Sequence, residues 1–536
     1  MSHPFNEEYR FGSAAWANTE DLRRAGMLGA HGLPVGYREN TAMRLNGDAP
    51  LVTIGGAGSG KFRDILSYVA CNSPGQSQVW LDPRGEISAV SEIAHTMNGD
   101  YAYRFNPLHL CSGISHKINP LEFLARESPS LLSDCKFVAE ALVALTSGKD
   151  GNYFDLRARD WVEKLLISLV HKQGRVTLAD LHRITSMIEG DARGWADHLE
   201  FMLACPYDGV RRAAAEMLTK QQDSPREFGS VMGSVYAALG FLDDPTLLES
   251  LNEAELSLFD LLRPGRKLFL NIPAEFLSLW SPLIRLVFTV VMLLKGRSPE
   301  APRIMLIVDE AGQLGRFEAL LRAFTFGRGA GVRAWAVFQD TGQISRNYGA
   351  PALQGFLGSA QMRQFFGVRD YQTARLVSDM LGTETLEYDD ERLQDEARRQ
   401  KRDAIRKMFT GDEDPFDAAR EYGHYKRAEE RRTKQSRPLM TPDEIMDMPE
   451  DRQILFISGK NLKPVYAAKY PYFLRRDMAG RFLPNPYHPP IDKVKVKAWI
   501  GTRTLKVVRE RVPERFVSFP QYKENMWSYV KGYKPG

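Results

Sequence analysis

An apolar run that ends in two adjacent carboxylates constrains this chain more than any other feature of its sequence. The run Ile304–Val308 is followed directly by Asp309 and Glu310. A run of this length predicts a buried strand. A buried strand that ends in Asp-Glu is typical of nucleotide hydrolases, in which one acid faces magnesium and the next faces a water molecule. A second strand, predicted at Val332–Phe338, ends in Gln339. This arrangement requires a phosphate-binding loop upstream.

A candidate phosphate-binding loop follows a short strand predicted at residues 51–54. Its sequence, GGAGSGK at 55–61, fits the pattern G-x-x-x-x-G-K. In such a loop the glycines let backbone N–H groups surround a phosphate, and the lysine reaches the terminal phosphates. The next position usually carries Ser or Thr as a magnesium ligand, but here it is Phe62. A glycine-rich turn can also be purely structural. The order of loop, acidic strand end and Gln339 is what favours a nucleotide site.

The length and composition indicate several domains of an ordinary folded protein. The chain has 536 residues, and at roughly 100–200 residues per domain this favours about two to four domains. The net charge of +4 is small, so contact with DNA would need a local basic patch. The cysteines form no metal-binding pattern, which favours reduced, packed thiols in a cytoplasmic setting. They are Cys71, Cys111, Cys135 and Cys205.

No apolar run in the sequence is long enough to span a membrane. The longest, at residues 286–294, falls well short of the ~18–20 residues that a membrane span needs. The N-terminal residues MSHPFNEEYRFG contain no apolar core, so we expect no signal peptide. We therefore expect that the chain does not enter the bilayer by itself.

Short strands that alternate with helical stretches predict an α/β fold with a mostly parallel sheet. Further strands are predicted at residues 78–81, 101–105, 267–272, 361–368, 452–458 and 464–470. Polar clusters follow three of the early strands, namely the loop at 55–61, DPRGE at 82–86 and Asn106-Pro107. Because the carboxyl ends of parallel strands meet at one edge of the sheet, we expect these clusters to gather at that edge.

Between about residues 121 and 251, apolar residues recur every three or four positions, which predicts an all-α domain inserted between strands. The predicted division is therefore a lead-in at 1–48, a nucleotide-binding domain at 49–120 and 252–476, the helical domain at 121–251, and a tail at 477–536.

Two segments are unusually rich in charge. Residues 391–435 predict a solvated helix or a mobile insertion, with an arm that contacts DNA or a partner as the alternative. The tail beyond residue 490 interleaves basic with aromatic residues. These residues could bind phosphate backbones and stack on bases. They could equally dock the tail on its own protein or on a partner.

Taken together, these segments resemble the TraG/TraD-type coupling proteins of type IV secretion and conjugation systems. The resemblance rests on several motifs in the family's order: FGSAAWANTEDLRRAGML, the phosphate loop, VWLDPRGE, FNPL, INPLEFL, VDEAGQLGRFEALLRAFTFGRGAGVRAWAVFQD, AQMRQFFGVRDYQTARLVSDMLGTET and RPLMTPDEIMDMPEDRQILFISG. It implies a RecA-like P-loop nucleotide-binding domain with an inserted all-α domain. It also implies a ring-forming ATPase that recruits a relaxase–DNA complex or effector proteins and delivers them to the secretion channel.

The resemblance implies roles for individual residues. Lys61 would be the phosphate lysine, Asp309 the magnesium carboxylate and Glu310 the carboxylate that polarises the attacking water. Gln339 would sense the γ-phosphate. Arg328 lies nineteen residues after Asp309 and eleven before Gln339, where the family places an arginine finger that reaches the neighbouring subunit's nucleotide. ATP and its Mg²⁺ would be bound by the loop residues Gly55, Gly56, Ala57, Gly58, Ser59, Gly60, Lys61 and Phe62.

Two departures from the family's pattern affect these expectations. The family usually begins with transmembrane helices. This sequence contains no apolar run of the length that such helices need. We therefore expect a naturally soluble member, a paralogue held by a partner, or a chain from which the anchor has been removed. A bulky Phe62 where a hydroxyl is usual means that magnesium would rest on Asp309 through water, or that hydrolysis would be slow. Phe62 therefore favours an alternative function, a substrate-receptor platform that binds nucleotide weakly or not at all.

The expected partners also follow from the resemblance. They are further copies of the chain in a hexameric ring, secretion-channel ATPases, inner-membrane components, and a relaxase–DNA complex or effector proteins, with adaptor proteins as a further possibility. DNA would be bound without strong sequence specificity, because phosphate contacts carry no sequence information. The expected location is the bacterial cytoplasm, at the inner membrane through partners or through a missing anchor.

Overall fold

The described part of the chain alternates strands with helices, as the sequence pattern predicts. A computed structural model describes residues 9–111, 113–145, 149–388, 390–410, 414–429 and 433–536. The larger of two compact units comprises Thr19–Gly367, Pro449–Leu462 and Tyr466–Gly536. The smaller comprises the described residues up to Asn18, with Val368–Met448 and Lys463–Val465. The domain boundaries predicted from the sequence stay a prediction.

The strands are numbered in chain order. They are β1 Leu33–Arg38, β2 Thr41–Leu45, β3 Leu51–Gly55, β4 Ser77–Leu81, β5 Tyr101–Phe105, β6 Arg266–Leu270, β7 Ile304–Val308, β8 Val332–Phe338, β9 Met362–Phe366, β10 Thr383–Tyr388, β11 Thr433–Pro438, β12 Arg452–Ile457, β13 Val465–Ala468, β14 Lys493–Lys497, β15 Thr502–Arg511 and β16 Met526–Val530.

The α-helices are numbered in the same way, and a π-helical segment, Lys61–Leu66, leads directly into α2. The helices are α1 Thr19–Arg24, α2 Ser67–Cys71, α3 Glu86–Asn98, α4 Leu131–Leu142, α5 Lys149–Gln173, α6 Leu178–Gly190, α7 Ala192–Leu203, α8 Asp208–Asp223, α9 Pro225–Leu239, α10 Pro245–Ser250, α11 Ser281–Gly296, α12 Glu318–Phe326, α13 Thr341–Tyr348, α14 Ala350–Ser359, α15 Tyr371–Leu381, α16 Glu391–Thr410, α17 Pro415–Glu429 and α18 Pro442–Met446.

An 11-stranded sheet organises the larger unit, in the order β2-β1-β13-β12-β9-β3-β8-β7-β4-β6-β5. The block from β9 to β5 is parallel throughout. Strands β3, β7 and β8 are buried along their whole length, as expected for a parallel sheet covered on both faces. Helices α4 to α10 lie between β5 and β6 in the chain. The predicted α/β fold with an inserted helical region is therefore confirmed.

Two strands lie where the sequence predicts only a lead-in. Within residues 1–48, β1 and β2 pair antiparallel at one edge of the large sheet. Their pattern is weak because Pro34 and Gly36 interrupt β1, and the pairing register shifts between these two residues. Proline and glycine weaken a strand signal and mark bulges and edges. This explains why the local sequence does not reveal the strands.

The charged segment predicted at residues 391–435 lies in the smaller unit. Its described residues form α16 and α17 between the paired strands β10 and β11. Most described side chains of both helices are exposed, while Ala397 and Ala404 are buried. The exposed helices agree with the predicted solvated helix. Because paired strands hold both ends of the segment, it does not have the form of a free arm.

The C-terminal tail is folded. Strands β14, β15 and β16 form an antiparallel sheet in the larger unit. Tyr522 and Trp527 are fully buried in one cluster with Ile93 of α3, and the Tyr522 hydroxyl lies 2.5 Å from Thr96 Oγ1. For these aromatic side chains the docking alternative is therefore correct. Trp499, at the turn between β14 and β15, is 80% exposed.

Among the described residues, no helix combines the length and the apolar character that crossing a bilayer requires.

Trp527 should anchor the C-terminal sheet. The substitution Trp527→Ala removes a buried aromatic side chain that is 1% exposed and should cost about 3–5 kcal/mol of local stability. Hydrogen exchange across β14 to β16 would measure the loss as faster exchange. Trp499→Ala is the matched control and should leave these rates nearly unchanged. Equal protection in both variants would show that the sheet does not depend on this buried contact.

Candidate nucleotide site

The parallel register brings the ends of four strands to one edge of the sheet. Ile54 of β3 is opposite Phe338 of β8, and Val308 of β7 is opposite both Leu81 of β4 and Ala336 of β8. The loop after β3, the acids after β7 and the amide after β8 therefore emerge together. A cleft of about 680 Å³ lies at this edge.

The glycine-rich loop forms one wall of the cleft. Residues 58–62 line it, whereas Gly55 ends β3 and Gly56 and Ala57 lie outside the lining. Gly60 has a left-handed backbone with φ 87°, and a Cβ there would collide with the Asp64 carboxylate. Glycine is thus required at this position.

A buried ion pair fixes this loop to the sheet. Lys469, directly after β13, donates from Nζ to Asp64 Oδ2 at 2.7 Å and to the Ser59 carbonyl oxygen at 2.8 Å. The Asp64 carboxylate also accepts from Arg63 Nε at 2.6 Å. Both members of the Lys469–Asp64 pair are almost completely buried. Sequence reasoning missed this pair because 405 residues separate its members and neither belongs to a motif.

Two of the residues predicted from the sequence contact a third, Glu310, across the cleft. Lys61 Nζ lies 2.8 Å from Glu310 Oε1, and Gln339 Nε2 donates to Glu310 Oε2 at 2.9 Å. The Glu310 backbone is left-handed, with φ 53°, a conformation that non-glycine residues adopt rarely and often at functional sites. Gln339 is itself held by Gln343, whose Oε1 accepts from the Gln339 backbone N–H at 2.9 Å.

The acids that follow β4 and β7 line the same cleft. Burial, and next the neighbouring Glu310 carboxylate, raise the pKa of Asp309 well above its usual range, while Lys61 opposes the shift. Burial raises the pKa of Asp82 to about 6, against hydrogen bonds from the start of α3. A cation bound beside Asp309 would relieve this crowding of carboxylates.

The donor set suits a magnesium ion bound together with a phosphate. Among the described residues, no group of three or more acidic, histidine or cysteine side chains is placed to hold a metal by itself. Mg²⁺ commonly takes one or two carboxylates and fills its remaining positions with water and phosphate oxygens. Asp309 fits that single-carboxylate role.

Two polar clusters of the predicted three reach the cleft. Asp82, Arg84 and Glu86 line it. Asn106 also lies at this edge of the sheet but outside the lining of the cleft. Strand β6 lies between β4 and β5, and Asn106, after β5, is buried and donates to the Leu110 carbonyl oxygen at 2.9 Å. The sheet order, which the sequence does not show, separates this cluster from the cleft.

Phe62 turns toward an aromatic neighbour. Its ring is partly buried and contacts the ring of Tyr472 edge to face, with 6.0 Å between the centroids. No hydroxyl stands at this position of the loop, as the sequence indicates.

Arg328 does not line the cleft of its own chain. Its Nε lies 2.9 Å from Asp48 Oδ1, and its side chain is 68% exposed. It is therefore on the surface, where another molecule can contact it.

Comparison with known proteins identifies the family. The family described as type IV secretory system conjugative DNA transfer matches residues 10–410 and 420–492. Protein VirD4 of Agrobacterium fabrum is 22% identical over 502 residues, which cover 90% of this chain and 70% of that protein. VirD4 of Rhizobium radiobacter is 23% identical over 388 residues, which cover 70% of this chain and 55% of that protein.

Solved structures share the fold. The bacterial conjugative coupling protein TrwBdeltaN70, in complex with sulphate, gives a TM-score of 0.61 at 17% identity, covering 88% of this chain and 96% of that one. The plasmid coupling protein TrwB in complex with ADP and Mg²⁺ gives a TM-score of 0.57 at 17% identity, with 88% and 96% covered. Because the family match spans most of the sequence, this chain belongs to the type IV secretory system conjugative DNA transfer family, the coupling proteins of type IV secretion.

Proposed function

We propose that the chain is the coupling ATPase of a type IV secretion or conjugation system, which hydrolyses ATP with Mg²⁺ and delivers its cargo to the secretion channel. The observation that carries the proposal is the contact of Lys61, Glu310 and Gln339 in one cleft beside a glycine-rich loop. Family membership and the fold shared with TrwB, which was solved with ADP and Mg²⁺, support it.

The loop and Lys61 bind the phosphates. The backbone N–H groups at residues 55–62 surround the β- and γ-phosphates, and Lys61 exchanges its contact with Glu310 for phosphate oxygens. This exchange frees a Glu310 oxygen inside the cleft. When bound at Asp309, magnesium offsets the negative charge of the phosphates.

Glu310 and Gln339 act on the attacking water. Glu310 accepts a hydrogen bond from the water and orients it toward the γ-phosphate. Gln339 remains bonded to the other Glu310 oxygen and contacts the γ-phosphate, so it links the nucleotide state to the start of α13. Positioning and charge neutralisation, rather than covalent chemistry, carry most of the rate in phosphoryl transfer.

Arg328 completes the site of a neighbouring copy. It is exposed and lies outside its own cleft, as expected of a finger supplied in trans within a hexameric ring. Release from Asp48 would let the guanidinium reach the partner's phosphates. Hydrolysis then depends on assembly.

The receptor alternative is not favoured. It rests on Phe62, whereas Lys61, Glu310 and Gln339 are already joined by hydrogen bonds in the cleft. With no hydroxyl at residue 62, magnesium would be held by Asp309 together with water.

The cargo is a relaxase–DNA complex or effector proteins, with channel ATPases, inner-membrane components and adaptor proteins as partners at the cytoplasmic face of the inner membrane. The exposed side chains of Arg503, Lys506 and Arg509 on β15 offer contacts to DNA phosphates. Such contacts give little sequence specificity.

Glu310→Gln should abolish turnover and keep nucleotide binding. The amide retains the size of the side chain but loses the charge that orients water, so kcat should fall by about 10²–10⁴-fold. Phosphate release and fluorescent ATP binding would measure the two effects. Lys61→Ala is the comparison variant and should weaken binding itself. Hydrolysis that neither substitution alters would rule out this assignment.

Arg328→Ala should lower the ATPase rate of the assembled protein by about 10³-fold or more. Mixing Arg328→Ala with Lys61→Ala chains should restore part of the activity, because the finger of a Lys61→Ala chain can serve the intact site of a neighbouring Arg328→Ala chain. Arg303 also pairs with Asp48, at 3.0 Å, so Arg303→Ala is the matched control and should remain active. No recovery in mixed assemblies would argue against a finger in trans.

A further inference from the structure

A second cavity, of about 710 Å³, adjoins the nucleotide cleft. The two share Phe62, Arg63 and His488 as lining residues. We propose that this second cavity binds the base and ribose of the nucleotide, so that the C-terminal sheet forms part of the nucleotide site. The inference rests on the proposed function and extends it to residues beyond the family match.

The lining residues that the two cavities share lie beside the expected position of the phosphates. Phosphates bound by the loop and Lys61 lie next to Phe62 and Arg63, the residues that directly follow the loop. The ribose is attached to the α-phosphate, so it must leave the cleft past a neighbouring wall. Here that wall opens into the second cavity.

The lining suits a purine. Phe62 and Phe473 are partly buried and flank Tyr472, with ring centroids 6.0 Å and 5.3 Å from it. Tyr472 itself is buried and holds the other two rings in place. Partly exposed aromatic rings can stack on any base, because stacking does not depend on a particular pattern of hydrogen bonds.

The tail supplies polar groups on the other side. Lys495 of β14 is paired with Thr504 of β15, and both line the cavity with Lys493. A lysine ammonium and a threonine hydroxyl can donate to ring nitrogens of a base and to ribose oxygens. The family match ends at residue 492, and these groups lie beyond it.

This wall is built into the core. Val494 and Val496 are buried in the same cluster as Tyr472, and Phe62 packs against that cluster. The alternation of Lys493, Val494 and Lys495 therefore turns the valines inward and leaves the lysines exposed. Phe62 accordingly serves as a wall of the nucleoside pocket at the position where a hydroxyl is usual.

Titration calorimetry of the full chain with ATP and with inorganic tripolyphosphate, both with Mg²⁺, tests the proposal. Phe473→Ala should weaken ATP binding about 3–10-fold through lost stacking and leave tripolyphosphate binding unchanged, while Phe473→Tyr should retain wild-type affinity. Lys495→Ala should weaken ATP binding about 2–10-fold through a lost hydrogen bond. The control is Lys497→Ala, on the same strand but outside the cavity lining.

The outcomes separate this inference from the proposed function. ATP binding that Phe473→Ala and Lys495→Ala leave unchanged, or that falls equally for tripolyphosphate, overturns the nucleoside pocket and leaves the ATPase proposal standing. A wild-type protein that binds ATP no better than tripolyphosphate overturns it as well. Binding of neither probe by the wild-type protein would remove the proposed function and this inference together. Because Lys495 is exposed, its variant remains informative if the aromatic variant fails to fold.

Discussion

The alignment of parallel strand ends is the constraint on which the rest of the structure depends. Strands β3, β4, β7 and β8 stop at nearly the same level, since Ile54 is opposite Phe338 and Leu81 is opposite Val308. A slip of one residue would turn each side chain to the opposite face of the sheet. Complete burial of β3, β7 and β8 opposes such a slip, because polar neighbours would then enter the core. The register therefore fixes where the loop, the acids and the amide meet.

The electrostatics of the cleft follow from the close approach of these strand ends. Asp309 and Glu310 are forced side by side at a buried strand end, and Asp82 comes from the adjacent strand. Lys61 forms an ion pair with Glu310. Lys469 is already paired with Asp64. Buried carboxylates that lack full compensation favour a bound cation. A cation bound beside Asp309 would lower the repulsion among these carboxylates, even with Phe62 in the loop.

The sequence predicts the parts of the site that are encoded locally. The loop, the Asp-Glu strand end and Gln339 each follow an apolar run, so their positions could be read from residues a few places apart. The pair of Asp64 and Lys469 could not be predicted, because it forms only when β13 joins the sheet. Asn106 looks equivalent to Asp82 in the sequence, but the order of β4, β6 and β5 separates them. Strands β1 and β2 escaped prediction because Pro34 and Gly36 break the pattern.

The tail shows how one physical core can connect distant parts of the chain. Tyr68 of α2, Val90 of α3, Tyr472 after β13, and Val494 and Val530 of the tail sheet are buried in a single cluster. The helix α2 continues directly from the π-helical segment that begins with Lys61. Close-packed interiors transmit small displacements to their neighbours. A shift of the segment after the phosphate loop would therefore be passed through this cluster to the tail sheet.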